Sequence, residues 1–249
     1  NQEIQSFYHA YHTQVYENSY ENFHKLQSLL DRNDLALENS EKRVIYVAAI
    51  NFCIKQMNNG KDNYIKEVIA LYERGLNNKI LFDENKLSIY TYKNVLMAYL
   101  KDNDFEKAKL FLDEYKSFLP STEREQIYYY HLAIWYFRQS NFDEAMQLLH
   151  ISIPKETLFN LDARRLLLRI YFEKQEYSAL DSLIESTKQY IYTKKELGYH
   201  KDMYKNFLSF LQKVIKLDPR DKEKKAILRG EVEKTKLLAE KAWLLQILS

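Results

Sequence analysis

The sequence predicts an all-α protein: an antiparallel helix-pair superhelical solenoid that ends in a long C-terminal capping helix. The 249 residues include only 4 Gly and 3 Pro, where average usage would give roughly 17 and 12. β-Sandwiches, barrels and Rossmann-type domains need these residues at many turns, so their scarcity excludes those folds. The chain also repeats a helix–turn–helix pattern. Neighbouring helix pairs must stack, because a single pair cannot bury both of its apolar faces.

Charge, cysteine content and hydropathy exclude several classes of protein. Lys and Arg number 37 and Asp and Glu 35, so the net charge is +2. A nucleic-acid-binding protein would carry a basic excess on one face, and we expect no nucleic-acid partner. The single Cys53 excludes an intrachain disulfide and a cysteine zinc site. The longest apolar run, residues 44–54, is shorter than the ~20 residues that span a bilayer, so no membrane span is predicted.

Three segments share one pattern at regular spacing, residues 103–108, 140–145 and 175–179. Each has an aromatic residue six positions after a tyrosine, and a small residue follows in the next turn. The pairs are Tyr99 and Phe105, Tyr136 and Phe142, and Tyr171 and Tyr177. The pattern predicts two helices around a short polar turn, with Ala108 and Ala145 allowing close approach of the pair.

The first helix of each pair carries one apolar face at positions i, i+3, i+4 and i+7. The pattern resembles the tetratricopeptide repeat, a 34-residue helix–turn–helix unit, as in repeat proteins of bacterial type. The unit ending at Pro120 matches it with Tyr92, Val95, Leu96, Tyr99, Phe105, Ala108 and Pro120, and residues 129–149 match it best. Residues 164–187 depart from it, with Arg164, Leu168 and Leu180 at positions where the repeat has an aromatic or small residue. The resemblance covers about residues 42–195, including a looser unit at 43–78.

Two less regular segments flank the repeats. Residues 1–41 are predicted to be an N-terminal helix pair that continues an upstream repeat array. Its first helix carries Ile4, Phe7, Tyr8, Tyr11 and Val15 on one face, whereas a terminal repeat needs a polar outer face. We therefore expect upstream repeats, or a homo-oligomer formed through this helix. Residues 196–249 are predicted to cap the solenoid, with a last long helix over 221–248 that begins at an N-cap on Asp218 or Asp221.

No motif points to catalysis, a cofactor or a metal. Glu21-x-x-His24 is half of a di-iron signature, but no second copy follows. His9 and His12 lie three residues apart on one helix face. Phosphate loops, G-x-S-x-G and H-E-x-x-H are absent. Cys53 is interpreted as a small core hydrophobe. We predict no catalytic, cofactor-binding or metal-binding residue, and a protein that is not an enzyme.

The resemblance implies a concave groove lined by the first helix of each pair. The repeat register then gives ten partner-binding residues: Tyr90, Lys93, Met97, Tyr130, Ile134, Phe137, Arg138, Arg165, Arg169 and Phe172. An apolar and aromatic surface bearing Lys and Arg suits an amphipathic helix or an extended acidic peptide. Two alternatives stay open: these side chains pack against neighbouring helices, or the chain's own terminal segment covers them.

We therefore predict a non-catalytic protein–protein interaction scaffold that acts in the cytoplasm. Asn1 stands where an initiating Met is expected, so upstream targeting information would be missing from this sequence. Two alternatives remain, a peptide-sensing regulatory repeat domain of a longer protein and an RNA-binding helical repeat. A chaperone-tail clamp is not expected, since Lys93 fits its pattern whereas Met97, His131, Asp162 and Leu166 do not.

Overall fold

The protein is all-α, as predicted, in a computed structural model that describes residues 2–16, 19–31 and 37–249. The described residues form 13 α-helices, one short 3-10 helix and one two-stranded hairpin. They divide into two compact units, Asn1–Ser152 and Ile153–Ser249. The division falls inside the stretch 42–195 that the sequence assigns to repeats.

Unit 1 is a series of helix hairpins. Its helices are α1 Gln2–Val15, α2 Tyr20–Leu30, α3 Asn39–Asn58, α4 Tyr64–Asn77, α5 Ile89–Lys101, α6 Phe105–Tyr115, α7 Arg124–Arg138 and α8 Phe142–Ile151, with a 3-10 turn at Lys116–Phe118. Consecutive helices pack in pairs, α1 on α2, α3 on α4, α5 on α6 and α7 on α8. Each pair also packs on the next, since α3 contacts α1 and α2, α5 contacts α4, and α7 contacts α5 and α6.

The three aligned segments make the same turn. The second residue after the first helix is left-handed in each segment, with φ near +60° at Asn103, Ser140 and Gln175. The next backbone N–H donates to the carbonyl of the tyrosine five residues earlier, at 2.8–3.1 Å, which is the hydrogen bond of a Schellman motif. Most helices that end this way use glycine there. Non-glycine residues in this conformation explain how a chain with 4 Gly can turn so often.

Small residues set the distance between paired helices in the first two of these units. Ala108 and Ala145 are fully buried, and Leu180 takes the equivalent buried place in the third. Tyr92 is also fully buried, and its hydroxyl donates to the Leu112 carbonyl at 2.7 Å. Replacing one of these alanines with a larger side chain would force the hairpin apart, because interiors are close-packed.

A short β-hairpin between α4 and α5 was not predicted from the sequence. Strand β1, Phe82–Asp83, pairs antiparallel with β2, Lys86–Leu87. The two turn residues Glu84 and Asn85 both have positive φ, as a type I′ turn requires, but the usual Asn-Gly or Asp-Gly signal is missing.

The chain reaches this hairpin by folding back over the end of α4. The Gly75 carbonyl accepts hydrogen bonds from the N–H groups of Ile80 and Leu81. A Cβ at Gly75 would stand 2.8 Å from the buried Leu81 side chain. An alanine at this position would therefore force the Leu81 side chain to move.

Unit 2 contains α9 Thr157–Glu173, α10 Tyr177–Thr193, α11 Tyr199–Ile215, α12 Lys222–Lys234 and α13 Lys241–Ile247. The N-cap at Asp221 is confirmed, since its carboxylate accepts from the Lys224 N–H at 3.0 Å. Its core is built from the inner faces of these helices and from Leu197 and Leu238 in the loops between them.

The prediction of one long helix over 221–248 is wrong, because the helix breaks at residues 235–240. Leu238, Ala239, Trp243 and Leu244 are all buried, and one continuous helix would point them around more than half of its circumference. The break turns both halves inward. It is fixed by Lys241, whose ammonium donates to the carbonyls of Glu233 and Thr235 at the end of α12.

Candidate protein-binding surface

Three residues predicted at the centre of the groove belong to the core. Tyr130, Ile134 and Phe137 on α7 are only 1%, 6% and 7% exposed. Within unit 1, α7 packs against α5, α6 and α8, so its apolar side chains are enclosed by neighbouring helices. This is one of the two alternatives that the sequence left open. The aromatic centre is therefore not a surface that a partner can reach in this structure.

The two predicted arginines of unit 2 are occupied by the chain's own C-terminal segment, which is the other open alternative. Arg165 and Arg169, one turn apart on α9, both pair with Glu240, with an Arg169–Glu240 distance of 2.8 Å. The Arg169 guanidinium also lies 5.0 Å from the centre of the Trp243 ring. Phe172 meets the same ring edge-on at 5.2 Å. These three side chains are internal packing elements of unit 2.

Sequence reasoning missed the partner of those arginines. Glu240 has a left-handed φ of +55° and a side chain 11% exposed, and it directly precedes α13. Three residues later the Trp243 indole donates to Glu173 at 2.8 Å. The sequence does carry one signal for this contact. An acidic residue, Glu240, stands three positions before a tryptophan, and α9 carries two arginines spaced i and i+4.

The predicted groove residues on α5 stay closer to the surface. Tyr90 is 54% exposed in the first turn of the helix, and Lys93 and Met97 are half-buried one and two turns later. Met97 lines a cavity of about 230 Å³ formed by α3, α4, α5 and the end of α7, together with Ile54, Met57, Val68, Tyr72, Asn94, Ala98, Lys101 and Arg138. The structure thus brings together two predicted residues, Met97 and Arg138.

The floor of this cavity is apolar. Val68 and Tyr72 on α4 are buried at its base, and burial raises the pKa of the Tyr72 phenol above its ordinary value, so the ring stays neutral. Met57 and Met97 stand at its sides, and unbranched thioethers adapt to varied shapes. The volume is below that of ordinary small-molecule sites, roughly 300–1,000 Å³. It is of the order of the volume of a single large side chain.

The rim of the cavity carries two cations. The Lys101 ammonium lies 2.9 Å from the Asp62 carboxylate, an ion pair whose side chains are 42% and 77% exposed. Exposed pairs of this kind contribute only about 0–1 kcal/mol, so a partner's carboxylate can exchange with Asp62. Arg138 donates one hydrogen bond to the Leu100 carbonyl at 3.1 Å, and a guanidinium has five donors. The rim therefore exposes two cationic groups whose hydrogen-bonding capacity is not filled by strong internal contacts.

The cysteine and the histidines that could act as a nucleophile or as metal ligands do not line this cavity. Cys53 is fully buried, and burial raises the pKa of its thiol, which disfavours the nucleophilic thiolate. His9 is hydrogen-bonded to Asn22 at 2.8 Å, and His12 stacks on a tyrosine ring. Across residues 2–16, 19–31 and 37–249, no three His, Cys, Asp or Glu side chains come close enough to hold a metal ion.

Comparison with known proteins adds no assignment. No protein-family model, no curated protein and no solved structure matches this chain. In the part of the chain that the structure describes, no helix has the length and apolar character needed to cross a bilayer.

Proposed function

We propose that this chain is a non-catalytic, tetratricopeptide-like interaction module that binds an acidic peptide or helix of a partner protein. The carrying observation is the cavity beside Met97, which has an apolar floor and two cations, Lys101 and Arg138, on its rim. We name the cavity and this rim the α5 site. Like the groove that the resemblance implies, this site combines apolar side chains with Lys and Arg. It is smaller than that groove, because only Met97 and Arg138 of the ten predicted residues line it.

The α5 site selects its partner by two features. One apolar side chain, of about the size of Leu or Phe, enters the cavity and contacts Met57 and Met97. Burial of such a side chain is worth about 1.5–3 kcal/mol. Acidic residues beside it lie against Lys101 and Arg138, and these rim contacts are weak and screened by salt. The apolar anchor therefore supplies the affinity, and the charges supply orientation and association rate.

A short fluorescent peptide with one central Leu between Asp and Glu residues is the probe that tests this proposal. Anisotropy should show saturable binding by the whole chain. Replacing the Leu with Ala should weaken binding about 10- to 100-fold, because the burial energy of the anchor is lost. Replacing the acidic flanks with Lys should also weaken binding, because like charges then meet at the rim, and raising the salt concentration should reduce this effect of the flanks. Single-stranded RNA in the same assay should not bind.

Variants of the protein localise the site. Arg138→Glu reverses one charge of the rim and should weaken binding of the acidic peptide about three- to tenfold, whereas Arg220→Glu, on an exposed turn of unit 2, should leave binding unchanged. Met97→Trp fills the cavity and should block the Leu anchor while circular dichroism stays that of a helical protein. Equal binding by all three variants would contradict the α5 site, and binding of RNA instead would favour the nucleic-acid alternative.

A further inference from the structure

Helix α1 packs on unit 1 with its small and polar side. Ser6, Ala10 and Thr13 are its buried residues, at 0%, 4% and 1% exposed. The two hydroxyls are satisfied by carbonyls of α1 itself, and Gln14 donates to the Ala48 carbonyl of α3 at 2.9 Å. A surface helix ordinarily buries its apolar stripe, and α1 does the reverse.

The large apolar side chains of α1 and the residue after it face solvent. Their exposed fractions run from 37% to 68%, for Ile4, Phe7, Tyr8, Tyr11, Val15 and Tyr16. We call these six residues the α1 face. Contiguous exposed apolar surface of this kind marks an interaction site. It lies on a different helix from the α5 site, so the inference below does not depend on the proposed function.

The spacing within the α1 face is that of a helix–helix seam and reads the same in both directions. Ile4, Tyr8, Tyr11 and Val15 follow one another at intervals of four, three and four residues, which are the a and d positions of a heptad pattern. Read from either end, the order is aliphatic, tyrosine, tyrosine, aliphatic. We propose that a second copy of this chain docks here, with its α1 antiparallel to the first. Ile4 then contacts Val15 of the second copy, and Tyr8 contacts Tyr11, in the self-complementary manner of a two-fold interface.

Charge and area both suit a second copy. Glu3 is the one Asp, Glu, Lys or Arg in residues 2–16, which also contain His9 and His12. With the histidines neutral at pH 7, two copies approach with little like-charge repulsion. A helix that lies on an anionic membrane would carry Lys and Arg along its polar face, and α1 has none. Taking roughly 200 Å² for an aromatic side chain and about half of it exposed, the face offers on the order of 600 Å² per chain, the lower limit of a specific interface.

The rings of the α1 face are already held in place. His12 lies between Tyr8 and Tyr16, with ring centroids 4.1 Å and 5.1 Å away. Tyr11 packs edge-on against the same imidazole at 5.6 Å. Pre-ordered side chains lose less conformational entropy on association. The face is therefore prepared for a rigid partner surface.

Sedimentation equilibrium of the whole chain tests the proposal. We expect a concentration-dependent mass that rises from 30.0 kDa to twice that value. Tyr8→Lys combined with Tyr11→Lys should raise the dimer Kd at least 100-fold, because it places like charges at the centre of the seam. Tyr192→Lys replaces an 82% exposed tyrosine on α10 and should leave the dimer intact. Unchanged circular dichroism of the double variant shows that the loss is not unfolding.

Cysteine cross-linking tests the direction of the pairing. In an antiparallel pair, a mixture of the Ile4→Cys and Val15→Cys chains should form a heterodimeric disulfide. Each variant alone should not, because like positions would lie about 16 Å apart at 1.5 Å per residue. A chain that stays monomeric, a dimer that survives the double lysine variant, or self-cross-linking of Ile4→Cys would each overturn the proposal. A monomer that instead binds phosphatidylcholine vesicles through α1 would assign the face to lipid.

Discussion

Glu240→Gln is the substitution whose effect on stability follows most directly from unit 2. It removes the carboxylate that lies between Arg165 and Arg169, whose side chains are 23% and 22% exposed. Removing one partner of a fully buried pair costs about 3–5 kcal/mol, and hydrogen bonds to charged groups are worth about 1.5–3 kcal/mol. Solvent still reaches these arginines, so we expect a loss of about 2 kcal/mol.

The indole of Trp243 reports this loss. Only Trp135 and Trp243 are present, and Trp243 is 5% exposed beside the pair. In a Trp135→Phe background, urea unfolding followed by fluorescence therefore measures the free energy of unfolding of unit 2. The matched control is Glu231→Gln, which removes an ion pair to Lys213 whose side chains are about half exposed and should cost less than about 0.5 kcal/mol.

A double-mutant cycle separates the pair from the rest of the packing. Arg165→Met keeps the aliphatic stem and removes the charge, and its coupling to Glu240→Gln should be about 1–2 kcal/mol. A coupling near zero would refute the reasoning, since it would mean that Arg165 and Glu240 do not interact in solution. Equal losses for Glu240→Gln and Glu231→Gln would refute it as well.

Three further changes test the fold by thermal or urea unfolding. Gly75→Ala should destabilise by about 1–2 kcal/mol because its Cβ meets a buried leucine 2.8 Å away, whereas Gly230→Ala, with open space around it, should stabilise by about 1 kcal/mol. Ala145→Leu should lower the free energy of unfolding by about 1–3 kcal/mol because it overpacks the hairpin. Ala226→Leu, at an exposed position of α12, should leave it unchanged. The hydrogen bonds from the Lys224 side chain and N–H hold the pKa of Asp221 below 3.8. Its contribution to stability is therefore complete above about pH 4 and is lost as the pH falls through the lowered pKa, a dependence that Asp221→Asn should remove.

Each of these three has a result that would count against it. Two glycine variants that shift stability in the same direction would contradict the close approach at Gly75. Tolerance of Leu at position 145 would mean that the α7–α8 hairpin is loosely packed. Hydrogen-exchange protection factors in the first turn of α12 that are the same above and below pH 4 would show that the Asp221 carboxylate does not cap the helix.

The helical class and the helix–turn–helix spacing could be predicted because they rest on local signals. Scarce Gly and Pro exclude turn-rich folds, and the Tyr-to-aromatic spacing locates three turns of identical geometry. The type I′ turn at Glu84 and Asn85 could not be predicted, since neither position holds the glycine that usually marks such a turn. The break at residues 235–240 could not be predicted either, because it depends on which neighbouring side chains bury Leu238 and Trp243.

The candidate site shows the same limit. Periodicity places Met97 and Tyr130 on corresponding faces of α5 and α7, yet the first lines an open cavity and the second is 1% exposed. The difference comes from tertiary packing, which no pattern within one helix contains. Helix α1 differs from both, because its apolar stripe is exposed and its small residues are the ones buried.

The methyl resonances of the four methionines test the α5 site most directly. Met57 and Met97 line the cavity, whereas Met146 on α8 and Met203 on α11 lie outside it and serve as internal controls. On titration of the acidic Leu peptide into methyl-labelled protein, the resonances of Met57 and Met97 should shift with one common Kd, and those of Met146 and Met203 should stay in place. Shifts confined to Met146 or Met203, or no shift at saturating peptide, would contradict the proposed interaction site.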